Sequence, residues 1–140
     1  MALELSSLKK AVSSLERALD TANRKLDAGN PEKNEMELMK SGVIQNFEFT
    51  YELCWKFMKR WLDINYSESF TVGITRKQLF RYAAENLLIT DFYKWEKYHN
   101  ARNRTSHTYD EAIAEEIFNT TTDFLNDAKD FLERLEKRND

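Results

Sequence analysis

Residues 45–64, QNFEFTYELCWKFMKRWLDI, decide how the chain is read. Phe47, Cys54, Phe57, Trp61 and Ile64 recur at helical spacing, and the pattern runs back through Met36, Met39 and Val43. Tyr51, Trp55 and Met58 widen that face until apolar side chains cover much of the circumference. A helix over roughly 32–64 with so broad an apolar surface must pack on more than one neighbour. A polar stripe, Glu48, Glu52 and Lys56, runs along it at intervals of four, its last pair in the favourable Glu-to-Lys order. Phe47 and Trp61 are therefore expected on the core face, with Glu48 and Glu52 bordering a groove.

Working outward, the neighbours such a helix needs are visible. Leu5, Leu8, Val12, Leu15, Leu19, Ala22 and Leu26 form one stripe spaced three and four apart, and Gly29 suits the left-handed residue past a helix end. Asn30 and Pro31 then offer a cap and a first helical position. After a loop over 65–74, Thr75–Gln78 reads as a capping box with Ile74 and Leu79 as its staple, opening a helix through Phe80, Ala83 and Leu87. Thr90-Asp91 caps the next helix, which carries Phe92, Trp95, Tyr98 and Arg102. Thr105-Ser106-His107-Thr108 is poor helix material, because short polar side chains compete for backbone hydrogen bonds. A second capping box, Thr108–Glu111, starts the last helix at about Tyr109. Its stripe is Ile113, Ile117, Thr121, Phe124, Ala128, Phe131 and Leu135, with Asp130–Arg134 and Glu133–Lys137 on the outer face. The expected fold is all-α: an up-and-down four-helix bundle with an additional short helix, one domain over residues 1–140.

Composition narrows the chemistry. In 140 residues, three glycines and one proline leave few tight turns for a many-stranded sheet. One cysteine, Cys54, excludes an internal disulfide and a cysteine-based zinc site. No apolar run reaches membrane-spanning length and no signal-peptide core opens the chain, so a cytoplasmic location is expected. With 21 basic and 24 acidic residues, the net charge of −3 argues against a general nucleic-acid coat but leaves room for a local basic patch. Metal-binding spacing is weak, since Glu96-x-x-His99 occurs once where a two-metal site wants it twice, so no metal and no cofactor is expected.

The segment with most chemistry is Arg102-Asn103-Arg104-Thr105-Ser106-His107-Thr108-Tyr109. Metal-free RNA cleavage needs a histidine to move a proton and a guanidinium to hold the phosphate. On an unbroken helix, residues five apart diverge by about 140°. Arg102 and His107 thus converge only if the helix ends between them, as Thr105-Ser106 encourages. The same residues also suit a structural junction, with His107 filling the turn and Arg102 paired to a nearby carboxylate.

Two stretches together, 45–56 (QNFEFTYELCWK) and 102–110 (RNRTSHTYD), resemble the nucleotidyltransferase substrate-binding protein family, part of the wider HEPN group of small helical bundles. That resemblance implies a homodimer and a separate minimal nucleotidyltransferase as partner, often as halves of a toxin–antitoxin module. It implies a non-catalytic subunit that binds substrate or nucleotide, with Glu48, Glu52, Trp55 and Lys56 lining the groove. The ribonuclease branch of the group implies an alternative, a metal-independent RNase acting on RNA. There Arg102 and His107 would be catalytic, Asn103 would support them, and Tyr109 would receive AMP from the partner.

Overall fold

The computed structural model describes residues 2–29 and 31–139. Among these residues there are five α-helices, α1 (Ser6–Asp27), α2 (Lys33–Asn65), α3 (Arg76–Glu85), α4 (Phe92–Asn103) and α5 (Glu111–Lys137), and one 3-10 turn at Thr105–His107. No strand occurs among the described residues, as an all-α bundle requires. The long helices α1, α2 and α5 pack mutually, α4 packs against α2 and α5, and α3 lies on α2 and α4. Central α2 thus meets every other helix, which is what its broad apolar circumference demands.

The core follows the sequence stripes closely. Leu8, Val12, Leu15, Leu19 and Ala22 of α1 are buried, as are Ile117, Thr121, Phe124, Ala128, Phe131 and Leu135 of α5. Phe47 is fully buried, and its ring meets Phe124 edge-on at 4.9 Å and Tyr51 at 6.3 Å between centroids. Trp61 is only half-buried, its indole N–H donating to the Arg138 carbonyl at 3.3 Å. Three expected core residues project instead: Leu26, Ile64 and Leu87 are all exposed. Leu26 and Ile64 lie beyond the last buried residues of their helices, Ala22 in α1 and Leu62 in α2, and Leu87 falls past the end of α3 with a left-handed φ of 61°.

Helix ends show which polar residues win the cap. Gly29 adopts the left-handed φ of 77° expected of it. The cap expected at Asn30 lies outside the described residues; Glu32 caps α2, accepting from the backbone N–H groups of Asn34 and Glu35. Thr75 and Gln78 form the reciprocal capping box. Asp110, not Thr108, caps α5, so that helix begins at Glu111 rather than Tyr109. The Asp110 carboxylate reaches both Ala112 N and Ile113 N, at 2.9 and 3.3 Å. An ionised acceptor at the positive helix end outcompetes a neutral hydroxyl. Residues 3 and 139 clasp one another: Leu3 N donates to Asn139 Oδ1 at 2.6 Å, and Asn139 Nδ2 donates to Leu3 O at 2.9 Å. No helix of the described residues is long and apolar enough to cross a membrane.

Candidate functional site

Where α2 faces α3 and α4, the polar stripe becomes a network. Glu48, Glu52 and Arg102 are each about one-third exposed. Arg102 Nε lies 3.2 Å from Glu52 Oε1, close enough for strong attraction although that N–H is not aligned as a hydrogen bond. Its Nη2 sits 3.9 Å from Glu48 Oε2, and its Nη1 donates to Thr105 Oγ1 at 3.1 Å. Oε2 of Glu52 accepts from the Trp55 indole at 2.9 Å, and the Arg76 guanidinium stacks 3.4 Å over the Trp55 ring. The Glu52–Lys56 pair expected from spacing does not form, because Glu52 turns inward; Lys56 is exposed, 5.7 Å from the Trp55 ring centre.

His99 is the member that sequence reasoning missed, having been weighed only as a metal ligand. Its Nδ1 is 2.7 Å from the Tyr51 hydroxyl and its Nε2 is 3.3 Å from Asn103 Nδ2. Both ring nitrogens are thus engaged, the donor and acceptor roles being set by the tautomer. The available signal was its spacing, three and four residues before Arg102 and Asn103 on one helix face. Asn103 thus lies against His99 one turn earlier on α4. Among the described residues, no group of three or more His, Cys, Asp or Glu side chains gathers as a metal site.

Burial, then the nearby charges of Arg76 and Arg102, hold His99 below its ordinary value of 6.5, while Glu52 pulls the other way. In the folded state the neutral ring is favoured, so the unfolded chain binds the extra proton first as pH falls. The stabilising contribution is complete above pH 6.5 and is lost as pH drops from there through the lowered folded value. Urea titrations across that window should show stability rising with pH in the wild type and a flatter dependence in His99→Gln. Equal slopes would contradict the assignment.

The chain does break between Arg102 and His107, as the sequence suggests, with α4 ending at Asn103 before the 3-10 turn. Arg102 faces α2, whereas exposed His107 has Tyr109 for company, Nδ1 lying 3.4 Å from the hydroxyl. No hydrogen bond links Arg102 to His107 among the described residues. Tyr109 is 83% exposed, on the rim of a cavity shared with Lys40, Ile44 and Glu115.

Residues 3–137 match the family model described as nucleotidyltransferase substrate binding protein like. The chain belongs to that family. A Haemophilus influenzae protein whose structure is described as the fold of a substrate binding domain of a nucleotidyltransferase superposes with a TM-score of 0.87 and 34% identity, over 95% of this chain and 99% of its own. A Thermus thermophilus structure gives 0.62 at 28% identity, over 86% and 98%. The chain is also 42% identical over 102 residues to a Haemophilus influenzae protein named probable ribonuclease HepT, covering 71% of this chain and 68% of that one.

Proposed function

We propose that this chain is the non-catalytic substrate- or nucleotide-binding subunit of a two-chain system, working with a separate minimal nucleotidyltransferase in a toxin–antitoxin-type module. Family membership and the structural likeness to a nucleotidyltransferase substrate-binding domain support the partner. One observation favours binding over cleavage: Arg102 is committed to Glu48, Glu52 and Thr105, and His107 is not bonded to it. A guanidinium facing two carboxylates has less charge to offer a transition state. Glu48, Glu52, Trp55 and Lys56 then serve as the wall of the recognition groove.

A second reading has its own support in the relative named a probable ribonuclease and in the open His107–Tyr109 corner. In it a homodimer sets two Arg102/His107 sets side by side. His107 takes the 2′-hydroxyl proton, that oxygen attacks the adjacent phosphorus to form a cyclic phosphate, and the P–O5′ bond breaks, the 5′-oxygen taking a proton from water. Arg102 stabilises the charge on the phosphoryl oxygens.

Incubating the purified chain with total RNA and EDTA separates the two. The binding reading expects RNA to remain intact with both wild type and His107→Ala. Cleavage by wild type that His107→Ala abolishes would overturn it in favour of the ribonuclease.

A further inference from the structure

The carboxylates that helical spacing would give to Lys56 and Lys59 are turned elsewhere. Glu52, four residues before Lys56, is held by the Trp55 indole and Arg102. Asp63, four after Lys59, accepts from the Thr71 backbone N–H at 2.8 Å and its hydroxyl at 2.9 Å. Neighbouring Arg60 lies over the Phe57 ring and Arg76 over Trp55. Among the described residues none of Lys56, Lys59, Arg60 and Arg76 forms an ion pair. An acidic protein thus carries a concentrated strip of unneutralised positive charge along the α2–α3 junction.

That strip borders a cavity of about 250 Å³ lined by Trp55, Lys59, Thr71, Gly73, Thr75 and Arg76, among others. Gly73, at φ 80°, turns the loop that forms its wall. The half-buried Lys59 ammonium supplies a point charge, and stacking on Trp55 fixes the plane of the Arg76 guanidinium. Arg76 lines the cavity and forms no ion pair among the described residues, so its guanidinium charge is free for an oxyanion. The Thr75 hydroxyl accepts from Gln78 N and keeps its own proton to give.

We propose that this cavity binds the phosphate end of a nucleotide. Small-molecule sites commonly run to about 300–1,000 Å³, so this one suits a di- or triphosphate group while sugar and base remain outside. The inference deepens the nucleotide-binding reading above, but its test uses the isolated chain and requires no nucleotidyltransferase and no RNA cleavage. Its failure is therefore distinguishable from loss of the partner.

Calorimetric titration with ATP and with inorganic pyrophosphate should show both binding and competing, while adenosine does not bind. Lys59→Gln and Arg76→Gln should each weaken ATP by at least about tenfold, the scale of one charge-assisted contact. Lys10→Gln, an exposed lysine on α1, should bind as wild type does. Circular dichroism checks that each variant is folded, and either cavity variant suffices if the other is not. No binding of ATP or pyrophosphate by wild type would overturn the proposal. So would adenosine binding as tightly as ATP, or equal losses in Lys10→Gln and the cavity variants. A single-stranded RNA oligomer that binds where ATP and pyrophosphate do not would overturn it as well.

Discussion

Phe47→Ala is expected to destabilise the fold by about 3–5 kcal/mol, the range for emptying a fully buried aromatic site. The Phe47 side chain has no exposed surface and meets Phe124 of α5 and Tyr51 of its own helix edge-on. Truncation removes apolar burial, two edge-to-face contacts and the fill between α2 and α5. The hole cannot readily collapse, because both walls belong to long helices anchored along their length. A domain of this size stands about 5–15 kcal/mol above its unfolded state, so the variant should melt roughly 10–20 °C lower. Urea unfolding measures it directly, and a loss below about 1 kcal/mol would mean that the site relaxes freely.

The second large effect is all-or-none and belongs to the ribonuclease reading. Supplied with its cognate nucleotidyltransferase and ATP, wild type would gain one AMP and Tyr109→Phe none. The phenolic oxygen attacks the α-phosphorus, a phosphodiester forms, pyrophosphate leaves and the phenolic proton passes to base. Access favours this oxygen, since Tyr109 is the most exposed of the large hydrophobic residues described, while Tyr51 and Tyr98 are buried. Burial also holds the Tyr51 and Tyr98 hydroxyls protonated far above the ordinary tyrosine range. Tyr51 is spent on His99, and Tyr98 donates to Asp127. Intact mass spectrometry reads the result. The same adduct on Tyr109→Phe would exclude Tyr109 as acceptor, and no adduct alongside uncut RNA would leave the binding subunit as the standing reading.

Periodicity made α1 and α5 legible, because each buries one stripe against partners along most of its length and repeats of three and four leave no other face to bury. The Thr75–Gln78 capping box was legible too, since both of its hydrogen bonds are local. The start of α5 was not, because Thr108 and Asp110 both suit the cap and only the carboxylate's reach to two amides decides between them. Leu26 and Ile64 lie at helix ends past the last buried residue, and Leu87 lies past the end of α3 altogether, which a three-and-four stripe alone does not reveal. At the candidate site the residue types were readable, but their pairing was not. Glu52 satisfies the i, i+4 rule with Lys56, yet Trp55 and Arg102 claim it through tertiary contacts. His99 went unread for the same reason, its main partner Tyr51 lying 48 residues away.

The clasp between Leu3 and Asn139 has a topological consequence. Because the backbone of Leu3 is bonded to the side chain of Asn139, residues 3 and 139 sit together at one pole of the bundle. A linker of a few residues, each spanning at most about 3.3–3.6 Å, is enough to join the two ends. The bundle can then be reopened in the exposed stretch over 66–69, between α2 and α3, giving a circular permutant in which every helix keeps its neighbours. Fused domains, by the same geometry, compete for space at that pole and leave the Tyr109 corner free only if it faces away from them.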